Sequence, residues 1–543
     1  MRRPIQRESA RTHPTTAPVT VPTDALWQSG ADPAPEVVPG DVIDADIVIV
    51  GTGAGGSTAA WTLRHSGARV LVLEQGDWLP NEPANWDPQA VFLRRRYKSS
   101  EAWVNDLTGT TFHPGLHDFV GGNTKVFGAA LPRFRESDFD EVEHVDGTSP
   151  AWPICYGDLE PYYEKVEALY GVHGDDRDDP CAPERRASLP YPPLPHEPYA
   201  ADLVARLRRS GLHPSPVPLG VDRRKGGACI RCRTCDGYPC KIDAKNDADI
   251  AALRPALQAG GIRLLRNTQV DSIQAASQGT VITGLSCTHH GRPLQVRAPR
   301  VVLACGSVRT ALLMQDSRAT GYENGIGNHH GEVGRHYMQH VNSAMVAVDP
   351  RRRNDIVFQK TMQINDWYHA GADGSPYPWG NVQALGKLQG PQLKAGRPRV
   401  PNVVLDTIAG RSTEWWVMSE DLPRAEHRVR RRPDGRVGVT WRPTNLSTHK
   451  QLLKKLTRTM RACGYPLVFH ETLGIDTNSH QCGTARMGTD PASSVVDPTG
   501  AVHGVSGLWI ADGSVFPSSA AMNPALTIAA LSMRTMTQGG VAA

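Results

Sequence analysis

Two groups of residues in this chain combine the types and spacing that chemistry requires. The first is glycine: Gly51-Thr-Gly53-Ala-Gly55-Gly56 follows the β-branched run Ile47-Val-Ile-Val50 and precedes a helix-like stretch from Ser57 to His65. At such a corner glycines let the backbone turn tightly, approach a pyrophosphate and pack helix on strand, while the first helical N–H groups face the phosphates. A second strand, Arg69 to Leu73, ends in Glu74, 23 residues beyond Gly51, where a ribose-binding carboxylate belongs. Together they define a dinucleotide site that serves NAD or FAD equally well. The long insertions after the fingerprint and the distant glycine-rich C-terminus favour FAD over the compact repeated sheet of a nicotinamide enzyme. The second group is Cys229, Cys232, Cys235 and Cys240, four of the ten cysteines within twelve residues. Their spacing is close to iron–sulfur ligation, with zinc or one local bridge as alternatives. Asp236 and Lys245 beside them are candidates for a substrate mouth. The pairs His289-His290 and His329-His330, and the three short arginine runs at 94–96, 351–353 and 430–432, read instead as solvated loops and faces.

The elements that must position these groups are α/β, α+β overall. Strands are expected at 262–266, 300–304 and 507–511, with helices over 249–258, kinked at Pro255, and from Pro524 to Thr535. The 346–465 region carries hairpin signals instead, the clearest being Arg432 to Val439 around Asp434-Gly435, and so predicts an antiparallel sheet. The reading is a Rossmann-like FAD-binding domain, discontinuous over 41–135, 245–345 and 465–543. It is interleaved with a substrate or cap domain over 136–244 and 346–464, which includes the cysteine-rich insertion 229–240. Residues 1–40, with seven prolines and little apolar periodicity, are expected to be a flexible tail. The balance of 59 Lys+Arg against 55 Asp+Glu, with 39% hydrophobic residues among 543, excludes a polybasic nucleic-acid binder and a disordered chain. No stretch reaches the length of a membrane span, and the basic start lacks the apolar run of a secretory signal, so a cytoplasmic protein with reduced cysteines is expected.

Further motifs carry a resemblance. Residues 476–488, containing His480-Gln-Cys-Gly-Thr484, are followed by Leu508-Trp-Ile-Ala-Asp512-Gly513 and Met522-Asn523-Pro524. Upstream lie Val120-Gly121-Gly122-Asn123-Thr124-Lys125, the Trp152 to Tyr163 segment, Val302 to Gly306 and Val333 to His340. In this order, over about residues 45–535, they resemble the glucose-methanol-choline (GMC) flavin oxidoreductases. The resemblance implies that Gly51, Gly53, Gly55 and Gly56 hold the FAD pyrophosphate and that Glu74 binds the adenosine ribose. It implies that Gly121 and Gly122 lie over the flavin, that Asn123 and Thr124 lie near its ring, and that Asp512 and Gly513 meet its phosphate and ribityl side. Some members tether FAD through a histidine after the glycine pair; none stands there in this chain, so non-covalent FAD is expected. Oxidising an alcohol needs a base for the hydroxyl proton and a neutral group to orient the oxygen, and the resemblance assigns these roles to His480 and Asn523. The resemblance brings His340 to the flavin region and gives it no part in the proton chemistry.

The expected activity is oxidation of an alcohol to the carbonyl, with O2 as acceptor giving H2O2. A looser likeness to sugar- and aminoglycoside-oxidising members indicates a sugar, glycoside or aminosugar hydroxyl, such as an aminoglycoside 6'-hydroxyl. The alternatives are a dehydrogenase relaying electrons through a cluster at Cys229 to Cys240, as in several relatives, and a non-catalytic FAD-binding scaffold.

Overall fold

The computed structural model describes residues 42–318, 321–372, 374–477 and 479–542; the tail expected over 1–40 lies outside them. The apolar runs at Ile47–Val50, Val70–Leu73, Ile262–Leu265, Val301–Leu303 and Leu508–Ile510 form one five-stranded sheet, every pair parallel. Nearly all of its residues are buried, as strands covered on both faces must be. The first strand is central, and the order turns from one side to the other between it and Val301–Leu303. A doubly wound sheet binds its ligand beyond the strand ends at such a crossover, and Gly51 and Gly306 follow those two strands.

A six-stranded sheet runs in the order Leu467–Thr472, Val341–Val348, Ser412–Ser419, Asn381–Ala384, Met362–Ile364, Ser215–Pro216, every pair antiparallel. Period-2 alternation sorts its side chains. Met345, Ile364, Val382, Trp415 and Val417 join an apolar core with Leu452, Leu456 and Met460 of the helix Leu446–Ala462. The other face carries the amides of Gln363, Asn381 and Gln383, with Gln363 and Gln383 opposite each other in register.

Two expected elements differ in detail. The hairpin around Asp434-Gly435 exists as Arg428–Arg431 and Val437–Thr440, but its second strand pairs with Trp103–Asn105, so it belongs to a separate four-stranded sheet. Turn chemistry fixed the hairpin locally and left its partner open. At Pro255 the expected helix changes its winding: a π-helical turn, Asp249–Leu253, runs without a break into the α-helix Arg254–Gln258, and Leu253 and Arg254 keep helical backbone angles.

A buried ion cluster anchors the turn that follows the glycine pair. Lys125 Nζ lies 3.0 Å from both Asp247 and Asp249, all three nearly inaccessible to solvent. Removing one partner of a buried pair strands the other charge, so Lys125→Met should lower stability by about 3–5 kcal/mol. Chemical denaturation of the FAD-loaded protein checks this, and a loss below about 1 kcal/mol, the worth of a surface pair, would show that the cluster does not anchor the turn.

Candidate active site

The glycines divide the work of the nucleotide corner. Gly51 has φ +99°, and a Cβ there would meet the Ala304 carbonyl oxygen at 2.4 Å. Side chains at Gly55 and Gly56 would drive into the carbonyl oxygens of Ala511 and Gly51. Gly53 alone has nothing within 4 Å of its missing Cβ. It caps the helix Ala54–Leu63, whose N-terminus has no side-chain cap and no acidic residue in its first turn. This open cradle at uncapped amides fits the pyrophosphate of FAD. Gly122 stands beside it, its missing Cβ 3.4 Å from Gly53 Cα.

One hydrogen-bond chain ties two of the expected positions, Gly121 and Glu74, together through Thr52. The Gly121 N–H donates to Thr52 Oγ1 (3.0 Å), and Thr52 Oγ1–H donates to Glu74 Oε2 (2.6 Å). Glu74 also accepts from the N–H groups of Thr52 and Gly76. Burial pushes its carboxyl above the ordinary value against these bonds. With three donors on its four lone-pair sites the carboxylate keeps a place for a ribose hydroxyl. Asp512 keeps none: its oxygens accept from Ser514 N–H and O–H, Gly306 N–H and Thr310 O–H. It fastens the turn at Gly513 to the end of the Val301–Leu303 strand. Asn123 and Thr124 are likewise engaged with the chain, Asn123 bonding Gly115 and His117, Thr124 bonding Gly121 and Ala248.

His480 is brought to a partner that sequence motifs left without a part in the proton chemistry. Met338 and Cys482 exchange two backbone hydrogen bonds in an antiparallel bridge, and the same register sets His340 opposite His480. Their Nδ1 atoms are 2.8 Å apart, and His340 Nε2 lies 3.0 Å from the Ser519 carbonyl oxygen. That carbonyl can only accept, so His340 carries its proton on Nε2. Burial pushes the His340 imidazole down to about 4, so it is neutral and its Nδ1 is a lone pair. His480 must then donate from Nδ1, which leaves Nε2 as the unprotonated nitrogen. Burial, then His340, then Lys360 push His480 well below an ordinary imidazole, so Nε2 stays a base at neutral pH. Among the described residues nothing bonds to it.

Asp421 holds both sides of this relay. Its carboxylate accepts from Gln339 N–H, Trp441 Nε1–H and both donors of Thr444, while its backbone exchanges bonds with Ser519 Oγ. Asn523 follows four residues after Ser519, just before the helix Ala525–Gln538, and its Oδ1 accepts from Gln383 Nε2 at 2.6 Å.

The cysteine cluster does not assemble the expected ligand set. Among the described residues no group of three or more His, Cys, Asp or Glu is placed to hold an ion, and the ten cysteines are unbridged. Cys229 is buried in an apolar cluster with Ala129, Leu219 and Phe358, against which Cys235 and Cys240 pack. Burial raises the Cys229 thiol and pushes that of Cys235 up to about 12, so in this apolar setting both are protonated. Iron–sulfur or zinc at Cys229, Cys232, Cys235 and Cys240, and the electron relay built on it, therefore lose their support. Lys245 is not at a mouth either: its Nζ donates to the carbonyls of Phe127, Cys235 and Tyr238 and clamps the loop from beneath. Asp236 pairs with Lys360 at 2.9 Å.

A cavity of about 500 Å³ is lined among others by Arg135, Asp138, Tyr368, Trp379, Glu420 and Ala521, the last of these two residues before Asn523. Burial works to raise Glu420, but bonds from His144 and Ser149 outweigh it and hold the carboxyl ionised. Burial and the neighbouring Glu420 push Asp138 up to about 7.

Two GMC oxidoreductase family models match residues 45–342 and 428–532. The chain belongs to the GMC oxidoreductase family. It is an FAD-dependent alcohol oxidoreductase, which sets aside the non-catalytic scaffold. It is 28% identical over 520 residues to paromamine 6'-oxidase of Streptomyces fradiae and 29% identical over 528 to 6'''-hydroxyparomomycin C oxidase of Streptomyces lividus, each match covering 90% of both chains. It is also 24% identical to the fructose dehydrogenase large subunit of Gluconobacter japonicus, over 91% of this chain and 97% of that one. The crystal structure of pyridoxine 4-oxidase from Mesorbium loti shares the fold, with TM-score 0.63 and 18% identity over 91% of this chain and 98% of that one.

The glycine geometry separates folding from binding. Gly53→Ala should fold and lose FAD affinity, whereas Gly55→Ala should fail to reach the native fold. Circular dichroism with FAD titration checks both, and equal behaviour of the two variants would contradict the division of roles.

Proposed function

We propose that this enzyme oxidises a hydroxyl of an amino-substituted sugar or glycoside, in the manner of an aminoglycoside 6'-hydroxyl, to the carbonyl, with O2 as acceptor giving H2O2. The observation that carries the alcohol chemistry is the relay from the Ser519 carbonyl through His340 to His480, which leaves one imidazole nitrogen basic and free. His480 Nε2 takes the hydroxyl proton, and Asn523 hydrogen-bonds the same oxygen and sets the carbon's orientation. Bound in the cradle at Gly53, FAD supplies the acceptor for the hydride that leaves the carbon. Glu74, Gly121 and Gly122 would hold it there, with Asp512 and Gly513 on its phosphate and ribityl side. No histidine follows the glycine pair, so the flavin is held without a covalent bond.

The amino-substituted substrate is supported from two directions. The two relatives near 28% identity are named for oxidising aminoglycosides, and a cavity is lined by Glu136, the ionised Glu420 and the partly ionised Asp138 against the one guanidinium of Arg135. All ten cysteines being unbridged fits a reducing, cytoplasmic setting. Among the described residues no helix is long and apolar enough to cross a membrane.

Replacing His480 by Ala should leave FAD bound and slow anaerobic flavin reduction by about 10²–10⁴-fold, the range of general-base catalysis; an unchanged rate would remove His480 from the mechanism. Because the His480 pKa is depressed, the base is intact above that value and is lost only as pH falls through it. The acid limb of kcat/KM should therefore lie below the value of about 6.5 of an ordinary imidazole, and a limb at or above it would contradict the neutral relay. Acid precipitation should release all of the flavin into the supernatant, whereas flavin remaining with the pellet would mean a covalent link.

A further inference from the structure

Gln383 has no part in the chemistry above, yet it touches the residue that binds the reacting oxygen. It lies on the strand Asn381–Ala384, on the face opposite Val382 and Ala384, which pack into the apolar core. It is 1% exposed, and its Nε2–H donates to Asn523 Oδ1 at 2.6 Å across 140 residues of sequence. An amide whose oxygen is already engaged offers its N–H groups on the other side. Asn523 Nδ2 has no partner among the described residues. As His480 takes the hydroxyl proton, negative charge grows on the substrate oxygen, and a donor there stabilises it while a carbonyl oxygen would repel it.

We propose that Gln383 is a positioning residue that locks Asn523 as a hydrogen-bond donor toward the reacting oxygen, so that rate depends on a side chain that never meets the substrate. The inference rests on Asn523 binding that oxygen. A pair with both amides turned over would also be bonded, Gln383 then accepting from Asn523. The two arrangements make opposite demands on position 383, the first for a donor and the second for an acceptor.

Gln383→Glu separates them. An ionised carboxylate can only accept, so it draws the Asn523 N–H groups toward itself and turns Oδ1 to the substrate. A protonated carboxyl can donate again. In the FAD-loaded enzyme, with an aminosugar bearing a free primary hydroxyl as substrate, Gln383→Glu should lose about 10²-fold in kcat at neutral pH. KM should change little, and activity should recover as pH falls into the range where the buried carboxyl is protonated and the depressed His480 is still neutral. The wild type should show no such recovery. Gln383→Met, which keeps the volume and removes the bond, should lower kcat without pH-dependent recovery, and it decides the matter if the Glu variant does not fold. Wild-type kcat and pH profile in either variant, or a faster Glu variant, would overturn the proposal. Asn523→Leu distinguishes the levels: if it leaves kcat intact, the role of Asn523 itself is wrong, whereas a collapse there beside wild-type Gln383 variants removes only Gln383.

Discussion

A backbone carbonyl cannot donate a hydrogen bond, and the active-site arrangement depends on that constraint. The Ser519 carbonyl forces the His340 proton onto Nε2, His340 in turn forces that of His480 onto Nδ1, and the base that remains points away from both. The relay works only while both rings are neutral, which burial ensures. It works only if Ser519 and His340 keep their separation, which Asp421 ensures by bonding the backbone at Gln339 and the Ser519 hydroxyl at once. The antiparallel bridge between Met338 and Cys482 then delivers His480 in register.

The nucleotide corner is built on a different constraint, the absence of room. Carbonyl oxygens of Ala304 and Ala511 occupy the places where side chains at Gly51 and Gly55 would go. These contacts press the first strand–helix unit against the ends of the Val301–Leu303 and Leu508–Ile510 strands, and Ser532 from the last helix bonds the Gly55 carbonyl. The chain's C-terminal segment thus closes the corner that its N-terminal segment opens, and the same segment carries Ser519 and Asn523. Cofactor cradle and proton relay are two ends of one structural unit.

Much of this was legible in the sequence where the signal is local. The apolar runs identified all five strands of the parallel sheet, because a strand covered on both faces must be largely apolar. The interval from Gly51 to Glu74 placed a carboxylate beside the glycine turn, where it accepts from Thr52, because a strand–turn–helix–strand unit has a nearly fixed length. What stayed hidden depends on distant pairings. His340 meets His480 across 140 residues and Lys125 meets Asp247 across 122, and no periodicity reports either. The four donors on Asp421 come from Gln339, Trp441 and Thr444, and they leave no local pattern in the sequence. The cysteine cluster stayed open for a related reason: spacing along the chain gives the reach of four thiols but not their directions, and Cys229 sits in an apolar cluster against which Cys235 and Cys240 pack. Gln383 was invisible because strand alternation shows which face a residue takes, not which side chain waits there.

The most direct test of the account is the visible absorption spectrum of the FAD-loaded enzyme mixed anaerobically with an aminosugar or aminoglycoside carrying a free primary hydroxyl. The account predicts that the long-wavelength flavin band bleaches with formation of the carbonyl compound, and that admitting air restores it with release of peroxide. A flavin band left unchanged by every amino-substituted sugar offered, while a simple alcohol bleaches it, would contradict the substrate assignment and with it the purpose given to the acidic cavity.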